Sequence, residues 1–195
     1  MIENFLRRLH GPAAMGADVL RCLAALGVVV AAVVYGPTDA AILAFALPGC
    51  VAPRFLGMRP IADAAIVVIL QAAAWSNVLD LYVRIAWWDL AVHFLGNGSI
   101  AVMLYLALTH AKVLPDPRSP AFSPRMGVTL VTALGLSAGA LWEMIEWIGR
   151  ELASKEIYTA YEDTLSDMAV GGLGSVVGGA LLACCPLLHP EATRA

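Results

Sequence analysis

Long apolar stretches constrain this chain more than any other feature. Ala17–Tyr35, Ile61–Leu81, Trp87–Thr109, Gly127–Ile148 and Leu165–Leu188 each run for roughly the 20 mostly apolar residues that an α-helix needs to cross a bilayer core. A further stretch, Asp39–Val51, is shorter and ends in Pro48-Gly49, so it reads either as a thin span or as a re-entrant hairpin. Of the 195 residues, 60% are hydrophobic and only 14% charged, with a mean hydropathy of +0.77. Soluble domains carry about 25% charged residues, and a water-soluble fold of this length cannot hide so much apolar surface. The composition excludes a soluble domain and a disordered chain. The net charge of −3 gives no basic footprint for nucleic acid.

The short polar start, Met1 to His10, precedes an apolar stretch that is too long for a signal-peptide core and lacks a small-residue exit site, so it reads as a retained first span. Lys and Arg are enriched on the cytoplasmic side of membrane proteins. With about six spans and both termini inside, Arg7, Arg8, Arg54, Arg59, Lys112, Arg118, Arg125 and Arg194 fall inside, against Arg84, Arg150 and Lys155 outside. A re-entrant second segment would erase that excess. Arg21, near the inner end of the first span, is expected to snorkel to the surface. Trp75, Trp87, Trp88, Trp142, Trp147, Tyr82, Tyr158 and Tyr161 fall toward the outer half, where aromatic belts form. Cys22, Cys50, Cys184 and Cys185 fall toward the inner side and read as small buried thiols.

The expectation is an all-α polytopic membrane bundle, a single integral membrane domain over residues 1–195. It comprises a short cytoplasmic segment at 1–16, a Pro-rich cytoplasmic loop at 111–126 and an outer loop at 149–164. Multi-pass insertion in a bacterial plasma membrane is the expected location.

Ionisable side chains inside a bilayer are costly and usually mark a site or a paired network. Asp89 and His93 lie at the start of one span, Glu143 and Glu146 at the end of the next, and Asp163 and Asp167 at the start of the last. Alternating span direction brings all of these to one membrane level, and spacings of three or four residues put each pair on one helix face. Asp80, at the end of the preceding span, is positioned to join them.

Clustered carboxylates repel one another, so they share protons or bind cations. Oxygen-rich sets suit Mg²⁺, Mn²⁺ or Ca²⁺ and suit zinc less well. A cation bound by His93, Glu143, Glu146, Asp163, Asp167 and Asp89 opens metal-assisted hydrolysis of a lipid-linked or phosphorylated substrate, with Glu143 or Glu146 as general base. Other readings stand beside it. Asp89 also fits a helix-dipole acid, and Thr164 to Asp167 fits a capping box. The same acids could line a proton- or ion-coupled transport path, although the spans are nearly all apolar below Asn97 and Ser99. A non-catalytic assembly subunit is the third reading.

Asn97, one turn from His93, and Ser99 nearby fit either a hydrogen-bonding role at the site or contacts between helices. In the last span Gly171, Ser175 and Gly179 form one small-residue stripe and Gly174 and Gly178 another. Such stripes let helices approach closely within a bundle or between copies, and helix 165–188 is the expected oligomer contact if one forms.

Asp89-x-x-x-His93-Phe94, Trp142-Glu143-x-x-Glu146-Trp147 and Asp163-Thr164-x-x-Asp167-Met168 together resemble the signatures of YjdF-like bacterial inner-membrane proteins. They are distantly similar to VanZ-like proteins, which share a D-x-x-x-H-F opening and a later Glu and Asp. The resemblance runs from about Trp87 to Ala183. It implies a multi-span helical protein of the bacterial inner membrane and singles out the same residues, without choosing between enzyme and transporter.

Overall fold

The structure, a computed structural model, describes residues 1–152 and 161–192. Its elements are α1 (Ile2–Leu6), α2 (Pro12–Val34), α3 (Pro37–Phe55), α4 (Pro60–Val78), α5 (Leu81–Arg84), α6 (Trp88–His110), α7 (Pro124–Leu152) and α8 (Tyr161–Cys184). Among the described residues there is no strand, only an isolated antiparallel bridge between Met58 and Leu188. Five helices, α2, α4, α6, α7 and α8, are long and apolar enough to cross a membrane.

Helix starts follow from local chemistry. Proline lacks an amide proton and fixes φ near the helical value, so it costs nothing at the first helical position. Pro12, Pro37, Pro60 and Pro124 all begin helices. Gly11 and Gly36 precede the first two with positive φ (105° and 126°), a turn that L side chains resist. Ser123 Oγ accepts from the Met126 amide at 3.3 Å and caps α7.

The short second stretch is not a hairpin. α3 is one continuous helix of 19 residues that accommodates Pro48 and Pro53, and it is about 28 Å long at 1.5 Å per residue. Its length matches a span, but it is less apolar than the five helices above. Segment 1–16 contains α1 and the start of α2, which begins at Pro12. The connections expected at 111–126 and 149–164 are shortened by α7, which runs from Pro124 to Leu152, and by α8, which starts at Tyr161. Residues 153–160 and 193–195, with the expectations placed on Lys155, Tyr158 and Arg194, lie outside the described residues.

The chain forms two compact units. The first comprises Met1–Trp88, Leu106–Asp116 and Cys185–Ala195. In it α2, α3 and α4 pack pairwise, around a core of Ala31, Leu43, Ala74 and Val78 with Trp75 against it. Trp75 thus belongs to this core: a Cβ on Gly27 would lie 3.2 Å from its indole, and Tyr35 packs edge-on to it at 6.2 Å. Trp88 donates its indole N–H to Ser76 Oγ at 2.7 Å. Trp75, one of the aromatics placed in the outer half by the sequence, is partly buried against the core of this unit.

Arg21 does not snorkel. Its guanidinium pairs with Asp63, which is 1% exposed, donates to the Cys50 carbonyl at 3.0 Å and meets Asp18 at 2.8 Å. Gln71 reaches Cys50 Sγ at 3.4 Å. One polar network therefore ties α2, α3 and α4 together. The chain end returns to this unit, where Arg59 Nε donates to the Leu188 carbonyl at 3.2 Å. None of the four cysteines is in a disulfide, and only Cys50 is buried.

The second unit comprises Asp89–Tyr105 and Pro117–Cys184, and so contains most of α6 with α7 and α8. Glycines bring these helices together. A Cβ on Gly174 would lie 2.7 Å from the Phe94 carbonyl carbon, and one on Gly98 would lie 2.6 Å from the Gly174 oxygen, so α6 and α8 meet backbone to backbone. Gly179 meets the Val128 backbone of α7 at 2.7 Å by the same measure, and Gly135 of α7 leaves no room between itself and Ser175. Both expected small-residue stripes of α8 are used within this unit, the Gly174/Gly178 stripe against α6 and Ser175 and Gly179 against α7.

Candidate metal centre

The second unit assembles its polar residues where α6 begins, α7 ends and α8 begins. Asp89 is in the first turn of α6, so it meets the helix-dipole expectation and still faces inward. His93, one turn on, has its side chain only 10% exposed. Its Nε2 lies 3.5 Å from Asp89 Oδ1 and 3.9 Å from Asp167 Oδ2. One ligand atom from each of Asp89, His93 and Asp167 falls within 4.8 Å of the others.

These separations are long for hydrogen bonds, whose N–H···O distances run to about 3.2 Å. The first is close to the edge of a tetrahedral site, about 3.4 Å for metal–ligand bonds of 2.0–2.2 Å, and the second is about 0.5 Å longer. The set is one imidazole nitrogen and carboxylate oxygens from two helices.

Asp167 is 3% exposed, and its Oδ1 has no hydrogen-bond partner in the protein. Glu143, on α7, is 8% exposed. Thr164 hydrogen-bonds its carboxylate, while Oε1 is left without a partner. A buried unsatisfied acceptor costs about 1–3 kcal/mol, so two in one place call for a ligand that donates or carries positive charge.

The capping-box reading of Thr164 and Asp167 does not hold. α8 starts at Tyr161, so both lie inside the helix. Thr164 turns to Glu143 and Asp167 to His93.

The remaining expected residues are placed differently. Glu146 accepts from the indole N–H of Trp142 on its own helix at 2.9 Å and is not one of the converging three. Asp163 sits in the first turn of α8, a turn before Asp167, and is likewise not one of them. Asp80 belongs to the first unit, where it is exposed and lies 3.7 Å from Arg84.

Beneath His93, Glu143 and Asp167 the three helices stay in register. Four residues further into the unit lie Asn97, Gly139 and Gly171, and four beyond those lie Ala101, Gly135 and Ser175. The Asn97 amide fills the space of two missing side chains. A Cβ on Gly139 would lie 2.9 Å from Nδ2, and one on Gly171 would overlap it. Asn97 is 7% exposed, and its Nδ2 has no partner in the protein. Deeper hydroxyls are satisfied within their own helices: Thr132, Ser137 and Ser175 each donate to the carbonyl four residues earlier, at 2.7, 2.8 and 2.8 Å.

A family described as Predicted membrane protein (DUF2238) matches residues 19–186. The chain belongs to that family. The match includes Asp89, His93, Glu143 and Asp167 together with the helices that carry them. No curated protein and no solved structure matches the chain.

Sequence spacing located His93, Asp89, Asp167 and Glu143, because each lies one turn from another polar residue. It missed the Arg21–Asp63 pair, since Asp63 sits on another helix and Arg21 has a nearer acid, Asp18, one turn away on its own helix. It also missed the coupling of Thr164 to Glu143, for which the local T-x-x-D pattern offered a competing reading.

Proposed function

We propose that this is a multi-pass protein of a bacterial inner membrane whose second unit binds a divalent cation through Asp89, His93 and Asp167. The cation would serve hydrolysis of a lipid-linked or phosphorylated substrate. The observation that carries the reading is the convergence of one ligand atom from each of these three residues, within 4.8 Å of one another. With only three residues converging, one donor in the set is a nitrogen, so Mn²⁺ and Zn²⁺ suit it, whereas the larger oxygen-rich set expected from the sequence suited zinc less well.

Asp89, His93 and Asp167 would hold the cation, which would supply acidification of a water and polarisation of a phosphoryl or acyl oxygen. Glu143 would take a proton from the attacking water and return it to the leaving group. Glu146 and Asp163 do not ligate in this scheme. A YjdF-like identity agrees with the family match, since YjdF is itself a member of that family; the likeness to VanZ-like proteins rests on the shared motif alone. An oligomer contact through α8 would use its exposed residues Leu173, Val176 and Leu181.

The transport reading is less well supported, because the inner hydroxyls of α7 and α8 bond their own helices and offer no polar ladder below Asn97. The test is metal content and Mn²⁺ and Zn²⁺ titration of purified protein, with Asp167→Asn and Glu143→Gln alongside. The expected result is one ion per chain, lost in Asp167→Asn and kept in Glu143→Gln. Wild-type protein that takes up neither ion after stripping and refilling overturns the reading.

A further inference from the structure

We propose that Asn97 holds a buried water molecule between its own amide and the carboxylates of Glu143 and Asp167, and that this water is the oxygen source for the proposed hydrolysis. The inference rests on the metal-site reading only in its last clause, since the water site stands on the geometry of the three helices.

Three buried polar atoms in the same part of the second unit lack partners in the protein: Asn97 Nδ2, Glu143 Oε1 and Asp167 Oδ1. One is a donor and two are acceptors. A single water molecule accepts from the first and donates to the other two, and so satisfies all three groups at once. Buried waters usually make about three such bonds.

The spacing agrees. Asn97 lies four residues below His93 on α6, at the level of Gly139, four residues from Glu143, and of Gly171, four residues from Asp167. Four residues of helix rise about 6 Å. Two hydrogen bonds meeting at a water's roughly tetrahedral angle span about 4.7 Å, and the Glu143 side chain shortens the gap by leaning toward the N-terminal end of α7, the side of Gly139.

The glycines on either side of Asn97 give its position a purpose. A Cβ at either would crowd the amide nitrogen, so the helices leave room at this level for a polar group and for little else. Beneath it Ala101, Gly135 and Ser175 close the unit, with Ser175 Oγ already committed to the Gly171 carbonyl. The water is therefore a dead-end guest, reached from the side of His93 and Asp167. Asn97 is a positioning residue, because it acts through the water.

The test uses the full-length protein in nanodiscs. A high-resolution structure of the metal-free wild type is expected to show a solvent peak within about 3.2 Å of Asn97 Nδ2 and of a Glu143 or Asp167 oxygen. A direct bond from Asn97 to either carboxylate, with no solvent between, overturns the proposal whether or not the protein binds metal. Metal-binding failure in the wild type with the water present instead removes only the hydrolytic role.

Substitutions at Asn97 separate water-holding from packing by Mn²⁺ affinity. Asn97→Ala leaves room for a second water and is expected to bind Mn²⁺ within about threefold of wild type, whereas Asn97→Leu fills the space without a donor. The Leu variant is expected to lose about tenfold or more, the range seen when groups behind metal ligands are removed. The opposite order, Leu tolerated and Ala impaired, is what simple packing gives and overturns the proposal.

Discussion

Gly174→Ala tests whether glycine contact between α6 and α8 sets the metal site. A Cβ at this position would lie 2.7 Å from the Phe94 carbonyl carbon and 2.9 Å from its Cα, both backbone atoms that cannot rotate away. Ordinary contact between such atoms is about 3.5–4.0 Å, so the two helices must part by roughly 1 Å. Overpacking of this kind costs about 1–3 kcal/mol, and the better helix propensity of alanine returns about 1 kcal/mol, leaving a net loss of up to about 2 kcal/mol.

The same movement separates the ligands. His93 Nε2 and Asp167 Oδ2, on the two helices, are 3.9 Å apart. Two atoms on one ion cannot be further apart than twice the bond length, about 4.2 Å. A gap widened by about 1 Å exceeds that limit, so Gly174→Ala should lower Mn²⁺ affinity at least tenfold as well as the unfolding temperature. Gly96→Ala is the control. It lies on α6 near His93, and its Cβ would meet nothing within 4 Å. It should leave both quantities unchanged or slightly raised. Calorimetric titration with Mn²⁺ and thermal unfolding in one detergent read the two effects. A Gly174→Ala protein as stable and as tight-binding as Gly96→Ala refutes the claim that this contact sets the site.

Thr164→Val removes the hydroxyl bonded to Glu143. It should leave Mn²⁺ affinity within about threefold while costing about 1 kcal/mol of stability, and a large loss of affinity would place Glu143 among the ligands. Arg21→Met leaves Asp63 buried without its partner and should cost about 3–5 kcal/mol in unfolding, whereas Arg21→Met with Asp63→Leu should be close to neutral. Equal destabilisation in the single and double variants would argue against that pairing. Glu146→Gln, whose carboxylate is bonded to Trp142 on its own helix, should bind Mn²⁺ like the wild type; loss of the ion would bring Glu146 into the centre.

Much of the architecture was legible from the chain alone. Apolar runs of helical length located the five apolar helices, and the Gly-Pro and Ser-Pro steps mark where α2, α3 and α7 begin. These are local properties: a proline fixes its own φ, and a hydrocarbon-length run is counted along one strand of sequence. Four-residue spacing also put Asp89 with His93, because a helix repeats every 3.6 residues.

Which polar residues meet across helices was not local. Glu143 and Glu146 share a helix turn, yet Glu143 is buried with Thr164 and Glu146 turns to Trp142. The difference comes from the rotation of α7 against α8, which no spacing within α7 records. Arg21 looked like a surface-seeking cation and is instead held by Asp63 and Cys50 from two other helices.

The sequence by itself determined that this chain is a membrane bundle of long helices, with its acids and His93 gathered near helix ends. The tertiary structure decided which of them converge, and it did so through glycines. Where Gly174 meets the Phe94 backbone and Gly171 and Gly139 admit Asn97, side-chain volume is absent from the contact. Helix separation is then set by backbone touching backbone, and that separation brings His93 and Asp167 within reach of one ion.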